Sequence, residues 1–167
     1  MSRPVEPAES IGLAGAEKVD DLRELWLALH QHHQQTAALQ PLVADDDLSW
    51  QRRRATYLAW LDSGEALLLL ATVEERPIAY AMVHLQRGPD DTWPLGERYA
   101  ELYSLSVAAG FRGQGIGSRL MDRVDQELEQ LGIRDLQIAV MVGNGDAQRF
   151  YERRGLQAGE ITLYRFG

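Results

Sequence analysis

Residues 102–118 read LYSLSVAAGFRGQGIGS. An apolar, β-branched run closes at Val107, four residues of turn follow, and then come Arg112 and three glycines on alternate positions, Gly113, Gly115 and Gly117. An amphipathic helix starts at once, with Leu120, Met121, Val124, Leu128 and Leu131 on one face and Gly132 as its stop. A strand, a glycine-rich turn and a helix together present unpaired backbone N–H groups at a helix N-terminus, where the partial positive charge favours phosphate. Glycines let the backbone approach an anion with no Cβ in the way. The plain alternative is a tight turn without a ligand, but three glycines in five residues cost chain entropy that such a turn does not demand. A dinucleotide fingerprint fits worse, because Gly-x-Gly-x-x-Gly needs glycine where Ser118 stands.

A second patterned element lies downstream, Asn144-Gly-Asp-Ala147-Gln-Arg-Phe150-Tyr151-Glu-Arg-Arg-Gly155-Leu156. With Arg112-Gly113-Gln114-Gly115-Ile116-Gly117 it resembles the paired motifs of the GNAT superfamily of acyl-CoA-dependent N-acyltransferases, Arg/Gln-x-x-Gly-x-Gly/Ala and Asn-x-x-Ala-x-x-Phe-Tyr-x-x-x-Gly-Phe. The motifs cover the C-terminal third, and the order of elements elsewhere is compatible. The resemblance implies acetyl-CoA as co-substrate and transfer of its acetyl group to a primary amine.

Composition narrows the alternatives. A chain of 167 residues, 45% hydrophobic, suits one globular domain. A net charge of −8 argues against sequence-independent binding to nucleic acid or an anionic membrane. The absence of cysteine excludes disulfides, thiolate metal sites and an acyl-cysteine intermediate. The N-terminus MSRPVEPAES has no apolar core of a signal peptide, and the longest apolar run, 66–73, is too short to span a bilayer. A cytoplasmic protein is the expectation. Lys18 is the only lysine, which we read as base-composition bias.

Residues 1–9 read as a loose tail and 10–167 as a single N-acetyltransferase domain. A short strand at Ile11–Leu13 precedes a helix from Ala16 bearing Val19, Leu22, Leu25, Trp26 and Leu29. After a polar, ambiguous stretch, Asp45–Asp47 offer N-caps for a helix carrying Trp50, Arg54, Tyr57, Leu58 and Leu61. Strands 66–73 and 78–85 form an antiparallel hairpin, and 86–98 is a loop. The strand 99–107, the helix after the glycine turn and an apolar strand 135–142 make a crossover and so a locally parallel pair. A short helix 147–154 and a final strand 160–166 complete the chain. The fold class is therefore α/β (α+β), a mixed central sheet with helices on both faces, as the family resemblance also implies.

The resemblance assigns roles residue by residue. The backbone of Arg112, Gly113, Gln114, Gly115, Ile116, Gly117 and Ser118 would hold the pyrophosphate. The backbone of Leu105, Ser106 and Val107 would pair with the pantetheine arm, and core packing of Leu105 and Val107 is compatible with that. Tyr151 stands where the family often places the general acid for the CoA thiolate. A phenol suits the task, with a pKa of about 10 near that of an alkyl thiol. Its alternative is an aromatic core residue beside Phe150. Asn144 would meet the cofactor through its amide, or cap a helix. Glu101 is the candidate general base, directly or through water, against a plain solvent-facing strand residue; the family's other glutamate position is Ala139 here. His30, His32 and His33 invite a metal, but on a helix only His30 and His33 share a face and no carboxylate stands at a partner position, so no metal is expected. They and Trp93 fall where the family builds its acceptor pocket. The acidic clusters Asp45–Asp47 and Asp90–Asp91 serve either to attract a cation or to cap and turn. The acceptor reads as a small amine or a peptide N-terminus, and a homodimer is compatible with the family. The rival function is a non-catalytic acyl-CoA-binding regulatory module on the same fold.

Overall fold

A computed structural model describes residues 9–40, 42 and 45–167. The proposed tail lies outside these residues except for Glu9, which opens strand β1 (Glu9–Ala14). A 3-10 stretch, Ala16–Leu22, leads into α1 (Arg23–Thr36), so the ambiguous polar stretch is helical as far as Thr36. Helix α2 (Asp46–Asp62) starts at the predicted cap: the Asp45 carboxylate accepts from the Leu48 N–H at 2.9 Å. Strands β2 (Ala66–Val73), β3 (Arg76–Arg87) and β4 (Arg98–Val107) follow, then α3 (Ile116–Gln130), β5 (Leu136–Ile138) and α4 (Gly145–Glu152).

The sheet order is β1-β2-β3-β4-β5, antiparallel except for the parallel pair β4–β5. Helices cover both faces, as the fold-class reading requires. On one face Leu120, Met121, Val124 and Leu128 of α3 pack against Leu69, Ala81, Val83 and Leu102 of the sheet. On the other, Trp26 of α1 and Trp50 and Tyr57 of α2 pack against Leu68, Tyr80 and Met82. Each strand buries both sets because alternate residues face opposite ways. Tyr57 Oη donates to Ser104 Oγ at 2.6 Å and lies 3.2 Å from Tyr80 Oη, so the polar atoms inside this second core satisfy one another. Arg54, placed by periodicity on the buried stripe of α2, instead turns out to Asp20; Arg53 takes the inner place.

Two predicted strands are corrected. The apolar run 135–142 is strand only at Leu136–Ile138, because beyond it the chain leaves β4 and finds no ladder. The segment 160–166 forms no strand: β5 is three residues long, and Leu163 is 90% exposed with no sheet edge to join. Strand propensity requires a neighbour before it becomes a strand.

The β2–β3 hairpin turns on Glu74 and Glu75, both with positive φ (50° and 64°). Two-residue hairpin turns of this hand favour Asn-Gly, and a left-handed L-residue costs about 1 kcal/mol. The double substitution Glu74→Asn/Glu75→Gly is expected to stabilise the protein by about 1–2 kcal/mol. A melting temperature equal to or below that of the parent would contradict it.

Candidate active site

The glycine turn is built as its composition demands. Gly113 (φ +75°) and Gly115 (φ +78°) occupy the left-handed region, and Gly115 caps α3 with its backbone alone. Side chains secure the turn by its carbonyls. Arg112 Nε donates to the Val107 carbonyl at 3.0 Å, Gln114 Nε2 to that of Gly110 at 3.1 Å, and Arg119 to that of Gln114 at 3.0 Å. A bidentate pair with Glu9, at 3.0 and 2.6 Å, holds Arg119. The N–H groups of Gly113, Gln114 and Gly115 have no acceptor among the described residues, and those of Ile116, Gly117 and Ser118 are the open donors of a helix's first turn. Ile116 buries its side chain in the core, so it can offer a ligand only its backbone. This donor set fits a pyrophosphate.

The turn ends a widening gap. Strand β4 pairs with β5 only from Ala100 to Leu102; farther along, its outer edge to Val107 has no strand beside it. The β3–β4 register slips between Met82 and Val83, leaving Tyr103 as an extra residue on β4. This bulge breaks the alternation. Leu102, Leu105 and Val107 join the α3-side core, whereas both Tyr103 and Ser104 face α1 and α2, Tyr103 against Arg53 and Ser104 against Tyr57. Ser106 Oγ donates to the Leu25 carbonyl at 2.7 Å.

A small cavity of about 80 Å³ lies in the gap, lined among others by Leu105, Ala139, Asn144, Ala147 and Tyr151. Burial pushes the Tyr151 phenol up to about 12, and its ring meets Phe150 edge-on at 5.1 Å. No hydrogen bond among the described residues engages its hydroxyl. Asn144 Oδ1 accepts from the Ala147 N–H at 3.4 Å, so the residue caps α4 and lines the cavity together. Arg154 fastens α4 to α3 through Asp122 at 2.7 Å and Asp125 at 3.1 Å.

A second cavity of about 340 Å³ adjoins the first between α1, α2 and β4; Leu29, His33, Tyr103, Ser104 and Met141 line both. His33 therefore stands at their junction. Burial, then the nearby His32, His30 and Arg53, lower its pKa to about 4, so it is neutral at pH 7. Arg53 was not among the candidate residues, whereas His33 was read with His30 and His32 as falling where the family builds its acceptor pocket; both line the larger cavity. The available signal was Arg53 flanked by Trp50 and Tyr57 at helical spacing, a cation on an otherwise buried stripe. Glu101 lines neither cavity. It shares the α1/α2-side face of β4 with Tyr103, two residues away, and its carboxylate accepts from Gln86 Nε2 at 2.5 Å. Trp93 and the Asp90–Asp91 cluster line neither cavity either; Asp90 accepts from the Thr92 and Trp93 N–H groups, the turn-forming reading. Among the described residues, no group of three or more histidines and carboxylates is placed to hold a metal, and no helix is long and apolar enough to cross a membrane.

The sequence profile described as the acetyltransferase (GNAT) family matches residues 19–156. An uncharacterized N-acetyltransferase of Methanocaldococcus jannaschii is 33% identical over 63 residues, covering 38% of this chain; the chain spans only 28% of that relative's length. A GCN5-related N-acetyltransferase from Ralstonia eutropha JMP134 superposes with a TM-score of 0.78 at 16% identity, covering 95% of this chain and 99% of that one. The aminoglycoside N-acetyltransferase AAC(6')-Iy, solved in complex with CoA, superposes with a TM-score of 0.71 at 15% identity over 99% of both chains. With a profile match across most of its length, the chain belongs to the acetyltransferase (GNAT) family.

Proposed function

We propose that this protein transfers an acetyl group from acetyl-CoA to a small primary amine by direct attack in a ternary complex, within one domain of residues 10–167. The observation that carries it is the continuity of three features: the donor-lined turn at 112–118, the unpaired outer edge of β4 down to Tyr103, and a cavity lined by Tyr151 that opens into a larger one. The pyrophosphate sits on the backbone of residues 113–118 with Arg112 beside it. Backbone groups of Leu105, Ser106 and Val107 hold the pantetheine arm and polarise the acetyl carbonyl. Asn144 contacts the arm while capping α4.

The neutral amine nitrogen attacks the acetyl carbon, the C–S bond breaks, and the thiolate takes its proton from Tyr151. The proton shed by the ammonium leaves through water to Glu101. On that basis Glu101→Gln should lower kcat/KM about tenfold at pH 7. The deficit should shrink as the pH approaches the amine's own pKa. A pH–rate profile parallel to that of the parent would remove Glu101 from the reaction.

The test of the proposal is free-thiol release from acetyl-CoA across polyamines, amino acids, aminoglycosides and short peptides. Release dependent on one class supports transfer. A burst of free CoA before amine addition would contradict the ternary complex. Calorimetric binding of acetyl-CoA with no release from any amine would favour the regulatory-module reading. The lack of a carboxylate lining either cavity is the observation on that side.

A further inference from the structure

The larger cavity has a charge opposite to that of the protein around it. The chain carries a net charge of −8, yet the lining includes Arg52, Arg53, His30 and His33 and, among the described residues, no aspartate or glutamate. The Asp46 carboxylate lies 3.8 Å from His30 Nε2 and also accepts from Gln31, but it does not line the cavity.

Other arginines nearby have been given counter-ions. Arg54, next in the chain, is paired with Asp20, and Arg23 with Asp47. No ion pair among the described residues engages Arg52 or Arg53. Arg53 is half-buried, its guanidinium stacked 4.5 Å from the centroid of Tyr103 and 5.7 Å from those of Trp26 and Tyr57. Aromatic faces support a cation and fix its plane, but they leave its N–H fork without a matching anion. His33 is held uncharged first by burial, with the nearby His32, His30 and Arg53 lowering its pKa further. Ser49 and Thr56 on α2, with Ser104 on β4, add hydroxyls to the same wall. A polycationic amine entering here would meet the like charge of Arg52 and Arg53 on the α2 wall and lose its hydration without compensation.

We infer that the acceptor is a small amine that also carries an anionic group, a carboxylate or phosphate, which Arg53 binds with Arg52 beside it, while the amine points past His33 toward the thioester. A volume of about 340 Å³ suits a molecule of amino-acid size. The inference rests on the acetyl-transfer reading and names its substrate class. It runs opposite to the polycationic acceptors that the name of the aminoglycoside enzyme implies for that protein.

The experiment has a kinetic arm and a binding arm. Thiol release from acetyl-CoA is compared between amino acids and their carboxamides, between aminoalkyl phosphates and the parent aminoalcohols, and against spermidine and an aminoglycoside. The anionic member of at least one pair should exceed its neutral partner at least tenfold in kcat/KM, and the carboxylate and phosphate pairs identify which anion serves. Arg53→Gln should collapse that ratio toward one by raising KM for the anionic acceptor, leave the calorimetric affinity for acetyl-CoA unchanged, and be partly rescued by Arg53→Lys. Equal rates within every pair, or the highest rates with spermidine or the aminoglycoside, would overturn the inference and leave acetyl transfer standing. Release with no amine would sink the transfer reading itself. The binding arm then decides separately: with CoA present, calorimetry compares N-acetyl amino acids and N-acetylated aminoalkyl phosphates with their uncharged counterparts. Tighter binding of an anionic product, lost in Arg53→Gln, supports the anion site; no preference for any anion overturns it.

Discussion

Replacing Tyr151 by phenylalanine is expected to lower kcat about 100-fold while changing the KM for acetyl-CoA less than about twofold. The alkyl thiolate is a poor leaving group unless it is protonated as the C–S bond breaks. Tyr151 lines the inner cavity, and its hydroxyl has no partner among the described residues. Burial raises its pKa to about 12, so the phenol is protonated at any pH where the protein works. Phenylalanine keeps the ring, the contact with Phe150 and the cavity wall, and removes only the proton donor. The melting temperature at neutral pH should therefore stay that of the parent. The pH dependence of stability offers a second readout. The folded-state pKa exceeds the unfolded value of about 10, so the folded form retains the proton more strongly. That contribution is complete below about pH 10 and is lost as the pH rises through about 12. The loss of stability between about pH 10 and 12 should be absent from the variant. Unchanged turnover in Tyr151→Phe would dismiss the general acid.

The largest effect on stability is expected from Gly143→Ala. Gly143 has φ +103°, and a Cβ there would lie 2.2 Å from the Thr36 carbonyl oxygen and 3.0 Å from the Ala38 nitrogen. Both neighbours are backbone, so no rotamer change relieves the clash. At this point the end of α1 meets the segment leading to α4, joined by the Ala38 N–H donating to the Val142 carbonyl at 2.8 Å. Overpacking combined with a left-handed alanine should cost about 2–4 kcal/mol, lowering the melting temperature by roughly 6–12 °C. Prising α1 from this segment also separates His33 from Met141 across the two cavities, so KM for the amine should rise as well. Gly12→Ala is the control, since a Cβ at Gly12 meets nothing within 4 Å. Equal melting temperatures for the two variants would show that the close approach carries no weight.

These two positions differ in how far the chain alone discloses them. Tyr151 belongs to a contiguous pattern, and Gly143 does not: its need for glycine comes from a carbonyl more than a hundred residues earlier in the chain. The same division runs through the whole site. The turn at 112–118 was legible because its requirements are local, with glycines for positive φ, a helix directly after, and donors that any backbone supplies. Helix α2 was legible from its Asp45 cap, and α3 from its apolar stripe and Gly132. The capping alternative for Asn144 was also legible, because N-capping needs only the residues that follow it.

What depended on distant partners was not legible. Strand length at β5 and the missing strand at 160–166 were decided by where β4 offers a neighbour, and apolar composition cannot report that. The bulge at Tyr103 reverses the facing of the residues after it, a change that turns on one register slip against β3. Helical spacing set Arg54 rather than Arg53 on the stripe of α2; in the fold Arg54 turns outward to Asp20 and Arg53 lies against the aromatic rings in the cavity. By itself, then, the sequence determined the family, the glycine turn at 112–118 and the order of most elements, all consequences of short-range backbone chemistry. The tertiary structure alone decided the shape and charge of the larger cavity, because that wall is assembled from helices and a strand whose side chains meet only after the sheet has closed.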